Sequence, residues 1–364
     1  MKSFLEFYSQ IKEDAMDAAN PAMQAPQAPT MQNVRPAPAM AKRLPQAAPA
    51  GQQQQAGQAP TGQQDGNDPE QEQKLKSMLG SNYQFFVNAL GANIKDPKFL
   101  NFLKAGLKDG KDAGDDKVNF SEISPKCSDL KPTQNEIDID KSLSFPLKKT
   151  PAAVLTGYFK GGTHAPGGKI ITCGGGKFII DGHHRWSQLY CMNPNAQIEA
   201  IDLTDFSDPE MGLKVTQIAI ATKLGSIPVQ SVSGTNLINI DENTLRKYIA
   251  ANISENAISA FSLLQKSTSS NQESNFEFIL NYLKRLDEYL EEDQGTNPTI
   301  EFAHNHIWKN VQQMTANNAP VAPASKRDFM PQTDDAKGWD SALKSGEVNW
   351  KQECLVLSGL IIRD

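Results

Sequence analysis

The chain has 364 residues, 38% of them hydrophobic and 7% aromatic, and its formal net charge is -6. A chain with this acidic balance is not built mainly to neutralise nucleic-acid phosphates, although a local basic groove is compatible with it. Its four cysteines are widely spaced and form no CxxC pair, which excludes the common zinc-site spacings and a dense disulfide framework. They indicate a reducing compartment, and we expect no membrane span because no apolar run approaches about 20 residues.

The N-terminal region divides into two parts of very different composition. Residues 1–15 interleave apolar and polar side chains, which predicts an amphipathic helix able to bind a protein partner, not a signal peptide. Residues 16–69 are rich in Ala, Pro, Gln and Gly and contain no aromatic residue. Such a segment cannot bury enough apolar surface to offset its ordering entropy, so it is predicted to be a disordered tether.

Residues 70–108 are predicted to form a helical hairpin. Apolar residues recur at helical spacing from Leu75 to Leu90, which indicates the first helix. The second helix follows Asp96-Pro97, with Asp96 as its N-cap and Pro97 at its first helical position.

An acidic run from Asp109 to Glu122 has the length to contain a calcium loop. The EF-hand pattern fails, because Lys111 and Ala113 occupy ligand positions and Asp116 replaces the glycine of the sharp turn. We therefore predict an acidic turn that leads into a strand over residues 117–123, and no metal site.

The centre of the chain, residues 117–206, is predicted to be a small mixed α/β unit. Three glycines, Gly174 to Gly176, join two strands into a hairpin, and Pro194 ends the helix that starts at His183. The predicted elements are a polar turn at 130–136, a helix at 151–159 capped by Thr150, strands at 169–173 and 178–181, a helix from 183 to 193, and a strand at 197–203.

The C-terminal part is predicted to be mainly helical over residues 207–316, followed by a loop and a C-terminal segment over 317–364. The helical patterns cover residues 211–224, 242–253, 255–265, 273–290 and 299–314, and an apolar run at 355–362 fits either a strand or a helix. Within the loop, the segment Lys326 to Gln332 has an unusual composition and is called the island below. It either folds back over the functional site described next or is a plain linker, and we favour the linker.

The clearest functional signal is the junction between a strand ending at Asp181 and a helix beginning at His183. The first turn of a helix has free N–H groups and a positive dipole end, so the junction is suited to bind an anion. Arg185 adds a planar fork for phosphate or carboxylate. From the residues alone, the alternative that Asp181 only caps the helix and the histidines are solvated stays open.

This segment resembles the ParB and sulfiredoxin superfamily, over about Val118 to Leu203. Gly182 to Trp186 occupies the position of the GERR-type box of ParB proteins and keeps its arginine as Arg185. His183 stands where sulfiredoxin has its catalytic cysteine, which argues against sulfiredoxin chemistry. The Asp-Gly-His-His-Arg form is most similar to the free serine kinase branch.

The resemblance implies an α/β domain of mixed sheet that binds ATP or another nucleotide, together with Mg²⁺. Gly182 and the amides of His183, His184 and Arg185 would hold phosphate, Asp181 would orient Mg²⁺ or a hydroxyl, and His184 would donate to a phosphate oxygen. Glu136 matches the general base of the kinase branch by order and spacing. Without the resemblance, Glu136 is simply a surface acid in a turn.

Three functions compete at this point. The first is phosphoryl transfer or nucleotide hydrolysis, in the cytoplasm of a bacterial or phage-infected cell. The second is a phage virion or DNA-associated protein that uses the fold for binding only, because Met1 to Phe7 looks like the leader of some tailed-phage internal proteins. The third, a ParB-like nuclease, is disfavoured by the acidic balance and by the lack of a dense carboxylate cluster.

Overall fold

The computed structural model of the protein describes residues 68–109, 114–230, 234–269 and 297–351. The predicted N-terminal helix, nearly all of the tether, the helix at 273–290 and the apolar run at 355–362 lie outside the described residues. The described part is a mixed α/β fold, as the sequence predicted. Its main sheet has five strands, one of which, at Lys131–Pro132, lies where the sequence predicted a polar turn.

The first described elements are three short helices, α1 (Pro69–Leu79), α2 (Tyr83–Asn93) and α3 (Pro97–Leu103). The predicted first helix of the hairpin is broken into α1 and α2. The break occurs because Asn82 has extended backbone angles and its side chain accepts a hydrogen bond from Phe85 N at 3.0 Å, which starts a new helix. Asp96 caps α3 as predicted.

The main sheet has the strand order β1-β7-β4-β5-β2. Its strands are β1 (Phe120–Ile123), β2 (Lys131–Pro132), β4 (Ile170–Cys173), β5 (Phe178–Asp181) and β7 (Ala200–Leu203), and a separate parallel pair is formed by β3 (Thr163–His164) and β6 (Gln197–Ile198). β4 and β5 form the predicted antiparallel hairpin. β2 lies parallel to β5, so the chain just after β2 starts beside the end of β5.

Eight further helices follow α3 among the described residues. They are α4 (Ile139–Ser144), α5 (Ala152–Lys160), α6 (His183–Met192), α7 (Pro209–Leu224), α8 (Glu242–Asn252), α9 (Glu255–Ser269), α10 (Pro298–Asn317) and α11 (Trp339–Ser345). No described helix combines the length and apolar character that crossing a bilayer requires.

Three predicted local details are corrected by the structure. α4 was not predicted, and the predicted strand over 197–203 is divided into β6 and β7. Thr150 does not cap α5, because its hydroxyl donates to the carbonyl of Phe145 at 2.9 Å at the end of a π-helical turn. The helices from α7 to α10 begin and end within a few residues of their predicted limits, whereas α11 was not predicted.

The sheet separates two hydrophobic cores. Side chains alternate across it: Ile170 and Ile179 point into the core that contains α6, whereas Ile171 and Ile180 point into the core that contains α7. α7 is buried on all sides from Gly212 to Thr222, as a central core helix should be. Helices therefore cover both faces of the sheet, which holds the end of β5 rigidly between two packed layers.

Candidate functional site

The predicted strand-to-helix junction is present, with β5 ending at Asp181 and α6 beginning at His183. Gly182 joins them in the left-handed region with φ +94°, and a Cβ at this position would lie 2.5 Å from Cγ2 of Ile170. Glycine is required here for both reasons. No side chain caps the first turn of α6, so its N-terminal amides face the neighbouring space without a capping oxygen.

A cavity of about 330 Å³ opens at this junction. The predicted residues that line it are Asp181, Gly182, His183, His184 and Arg185. Further lining side chains come from distant segments of the chain, among them Lys141, Gln230, Arg327, Thr333, Asp334 and Asp335. The cavity thus gathers the predicted phosphate-binding segment and parts of the chain that the sequence did not assign to a site.

His183 is buried and serves as a hydrogen-bond acceptor. Its Nε2 accepts from the backbone N–H of Thr133 at 3.1 Å, and the hydroxyl of Thr133 donates to the carbonyl of Ile179 at 2.6 Å. The imidazole proton is therefore on Nδ1. Burial, followed by the charges of Arg327 and Arg185, lowers the pKa of His183 to about 3, so the ring is neutral.

His184 faces hydrogen-bond donors at both ring nitrogens. Its Nε2 lies 3.0 Å from the backbone N of Asp138, and its Nδ1 lies 2.6 Å from Nη1 of Arg327. Burial, then the charge of Arg327 and that of His183, lowers the pKa of His184 to about 2. A neutral imidazole accepts at one nitrogen only, so one of the two contacts sets an N–H against an N–H.

Asp181 and Arg185 form an ion pair at the cavity wall. Nη2 of Arg185 lies 3.1 Å from Oδ2 of Asp181, and the hydroxyl of Thr333 donates to the same oxygen at 2.5 Å. Burial raises the pKa of Asp181, and the charge of Arg185 opposes that rise. The other terminal nitrogen of Arg185, Nη1, lies 3.8 Å from Oδ1 of Asp334, an exposed residue at the rim of the cavity.

Arg327 is the main site residue that the sequence analysis missed. Its side chain is only 7% exposed, Nη2 donates to Gln230 at 2.7 Å, and its Nε has no hydrogen-bond partner. Among the described residues, the arginine ion pairs involve Arg185 and Arg246 and not Arg327. Burial lowers the pKa of Arg327, and more distant carboxylates only partly offset this. A buried guanidinium without a paired carboxylate is costly unless an anion joins it.

The loop that carries Arg327 folds over the site, so the linker interpretation of the island Lys326 to Gln332 is wrong. The signal in the sequence was the unusual mixture of basic, aromatic and polar residues in that island. Short backbone pairings hold the loop in place: Ser325 N donates to Thr133 O and Asn135 N donates to Ser325 O, both at 3.0 Å.

Glu136 is close to the site but does not line the cavity. One of its carboxylate oxygens, Oε2, accepts a hydrogen bond from the backbone N of Arg327 at 3.1 Å. In the described arrangement, Glu136 therefore positions the Arg327 loop. Its predicted role as a general base stays a prediction, since that role requires the carboxylate to reach an acceptor hydroxyl.

The charged groups of the cavity differ in exposure. Arg327 is buried, and together with the uncapped start of α6 it forms a donor-rich region in which an anion would supply acceptors. Asp181 and Arg185 are partly buried and paired with each other. Asp334 and Asp335 are exposed at the rim. An anion bound near Arg327 and the start of α6 would accept their hydrogen bonds. A cation or hydroxyl groups near the rim would interact favourably with the carboxylates of Asp334 and Asp335.

Comparison with known proteins finds no family model, no curated protein and no solved structure that matches this chain.

Proposed function

We propose that this cavity binds the phosphate groups of a nucleotide, and that phosphoryl transfer or nucleotide hydrolysis takes place there. The observation that carries the proposal is Arg327, a buried guanidinium with no ion-pair partner among the described residues and with an unpartnered Nε. Charge-assisted hydrogen bonds to a phosphate would supply the acceptors that it lacks.

The contacts of His184 support an anionic ligand. If Arg327 turns toward a phosphate, its Nη1 leaves Nδ1 of His184, and the conflict between the two donors disappears. With Nε2 still accepting from Asp138, the ring proton lies on Nδ1 and becomes available to a phosphate oxygen. This is the donor role that the sequence predicted for His184.

The start of α6 supports an anionic ligand such as phosphate. Its first-turn amides carry no side-chain cap, and the backbone turn that presents them depends on Gly182, which has a positive φ and packs against Ile170. The resemblance of this segment to the ParB and sulfiredoxin superfamily, and to its free serine kinase branch, points in the same direction. The ligand would be ATP or another nucleotide, and Mg²⁺ would be held by its phosphates together with the acidic rim at Asp334 and Asp335.

A binding protein without turnover is the second candidate, as in a phage virion or DNA-associated protein. The observation that favours it is the state of the titratable groups: both site histidines are neutral, and Glu136 is bonded to the Arg327 backbone instead of facing the cavity. In that case Arg327 and the start of α6 would still hold the phosphates, and no group would be required to accept a proton.

Calorimetric titration of the full chain with ATP, ADP and CTP, each with and without Mg²⁺, tests nucleotide binding. We expect binding by the parent protein, and a loss of about 10- to 100-fold in affinity in Arg327→Ala, the size of a lost charged hydrogen bond. Lys326→Ala is the matched control, since Lys326 is exposed and adjacent but is not on the cavity wall. Absence of binding by the parent protein would refute the proposal.

Formation of ADP from ATP, measured with and without free serine as a hydroxyl acceptor, separates turnover from binding, because phosphoryl transfer releases no free phosphate. Turnover that is lost in Glu136→Gln, with affinity retained, would support the kinase-like reaction. Binding without turnover would select the second candidate. A DNA titration over a range of salt concentrations then tests whether that candidate binds nucleic acid, because phosphate contacts weaken as salt rises.

A further inference from the structure

Three carboxylates lie together at the acidic turn before β1, in a part of the fold that shares no residue with the cavity. They belong to Asp109, Asp115 and Asp116, and one oxygen from each lies within 4.8 Å of the other two. No metal site was expected here, because the sequence from Lys111 onward does not fit the EF-hand pattern. The folded chain brings together a different set of oxygens.

Asp116 is the most deeply buried member of the cluster, with only 1% of its surface exposed against 6% for Asp109. Its Oδ1 accepts hydrogen bonds from Trp350 N at 2.8 Å and from Lys351 N at 2.6 Å, and its backbone carbonyl accepts from Trp350 Nε1 at 2.7 Å. Its Oδ2 has no hydrogen-bond partner. Oδ2 of Asp116 is therefore a buried oxygen that accepts no hydrogen bond, whereas Oδ1 and the backbone carbonyl both accept hydrogen bonds.

Such an oxygen is unfavourable beside two further carboxylates. A buried acceptor without a partner loses its hydration, and like charges at short range raise the cost. A cation would supply what the side chain lacks. We propose that Asp109, Asp115 and Asp116 bind a divalent cation, with Ca²⁺ preferred over Mg²⁺.

The chemistry of the ligands favours Ca²⁺. Three carboxylate oxygens that lie within 4.8 Å of one another can contact one cation, and Ca²⁺ accepts about 6–8 oxygen ligands at about 2.3–2.6 Å in flexible geometry. Mg²⁺ requires near-ideal octahedral geometry at about 2.0–2.1 Å and gives up its water reluctantly. Water and backbone carbonyls would complete the larger and more flexible coordination shell of Ca²⁺.

The cation would join two distant parts of the chain. Asp116 already bonds the backbone of Trp350 and Lys351, and the Trp350 ring packs against Phe206 with the ring centroids 5.4 Å apart. Neutralising the cluster would therefore stabilise the attachment of the segment around Trp350 to the turn before β1. We expect a structural site whose occupancy is read out as stability.

The test uses the full chain, stripped of metal with a chelator and titrated separately with CaCl₂ and MgCl₂. Calorimetry should detect Ca²⁺ binding, and saturating Ca²⁺ should raise the melting temperature by about 5 °C. Asp115→Asn should weaken Ca²⁺ binding at least about 10-fold, because it removes one of three ligand charges.

Asp129→Asn is the matched control, since Asp129 lies in another turn and bonds Ser128. It should keep the full response to Ca²⁺, and so should Arg327→Ala, which separates this site from the cavity. Asp109→Asn repeats the test if Asp115→Asn folds poorly. No heat and no stabilisation of the parent with either cation would overturn the site, and tighter binding of Mg²⁺ would overturn the preference for Ca²⁺.

Discussion

Nη1 of Arg327 lies 2.6 Å from Nδ1 of His184, although 143 positions separate the two residues in the chain. The other ring nitrogen of His184 lies 3.0 Å from the backbone N of Asp138. Two donors converge on a ring that can accept from only one of them. One N–H therefore points at another N–H at the wall of the cavity. Unfavourable local contacts of this kind are characteristic of binding sites.

The conflict predicts that Arg327 lowers the stability of the ligand-free protein. Arg327→Gln removes a buried, unpaired charge and leaves an amide that can still bond Gln230. We expect the variant to equal the parent in stability or exceed it by about 1 kcal/mol, while nucleotide no longer stabilises it. Urea unfolding with and without ATP measures both effects.

Arg246→Gln provides the comparison for that experiment. The guanidinium of Arg246 pairs with Glu301 and with Glu242, so its loss should cost up to about 1 kcal/mol, as for partly exposed ion pairs. If Arg327→Gln proves more destabilising than Arg246→Gln, Arg327 is a structural residue and the idea of a site kept at a cost to stability is wrong.

His183 predicts a loss of stability in mild acid. Burial lowers its pKa from 6.5 to about 3, so between these values the unfolded chain binds a proton that the folded protein refuses. The stabilisation is complete above pH 6.5 and is lost as the pH falls toward 3. One such group accounts for about 2 kcal/mol between pH 6.5 and 5.

Urea unfolding at a series of pH values measures this dependence. His183→Gln keeps an acceptor for the backbone N–H of Thr133 but cannot be protonated. Its stability should therefore change less between pH 6.5 and 5 than that of the parent. If the free energy of unfolding depends equally on pH in the two proteins, the pKa of His183 does not differ between the folded and unfolded states as proposed.

Thr333 connects the segment that carries Asp334 and Asp335, at the rim of the cavity, to the end of β5. Its hydroxyl donates to Oδ2 of Asp181 at 2.5 Å, and the residue is 8% exposed. Thr333→Val leaves a part-buried carboxylate oxygen with one donor fewer, so we expect a loss of about 1 kcal/mol. Hydrogen exchange should rise in the segment around Asp334. Thr163→Val removes an exposed hydrogen bond to Gln197 and should cost much less; equal losses would contradict the assigned role of Thr333.

The sequence was sufficient for the local architecture of the site. Three glycines defined the β4–β5 hairpin, and Asp181-Gly182 and Pro194 defined the limits of α6, because each of these signals acts through backbone conformation within a few residues. All five predicted residues from Asp181 to Arg185 line the cavity.

The missing parts depend on contacts between distant segments. Arg327 reaches His184 only because its loop pairs with Thr133 and Asn135 near β2, a strand of two residues that has no periodic signal of its own. The same pairing engages Glu136 with the Arg327 backbone, which no spacing rule could indicate. The acidic cluster was missed for a related reason, since the partners that bury Asp116 come from Trp350 and Lys351.

Gly182 should be the least replaceable residue of the junction. Gly182→Ala forces a left-handed backbone on alanine, which costs about 1–2 kcal/mol, and sets its Cβ 2.5 Å from Ile170, which adds roughly 1–3 kcal/mol of overpacking. Gly175→Ala is the matched control, because Gly175 has φ +68° but nothing lies within 4 Å of an added Cβ. Thermal unfolding of both variants isolates the cost of the close contact. If the two substitutions cost the same, β4 yields to the added methyl group and the close packing of Ile170 against Gly182 does not fix the start of α6.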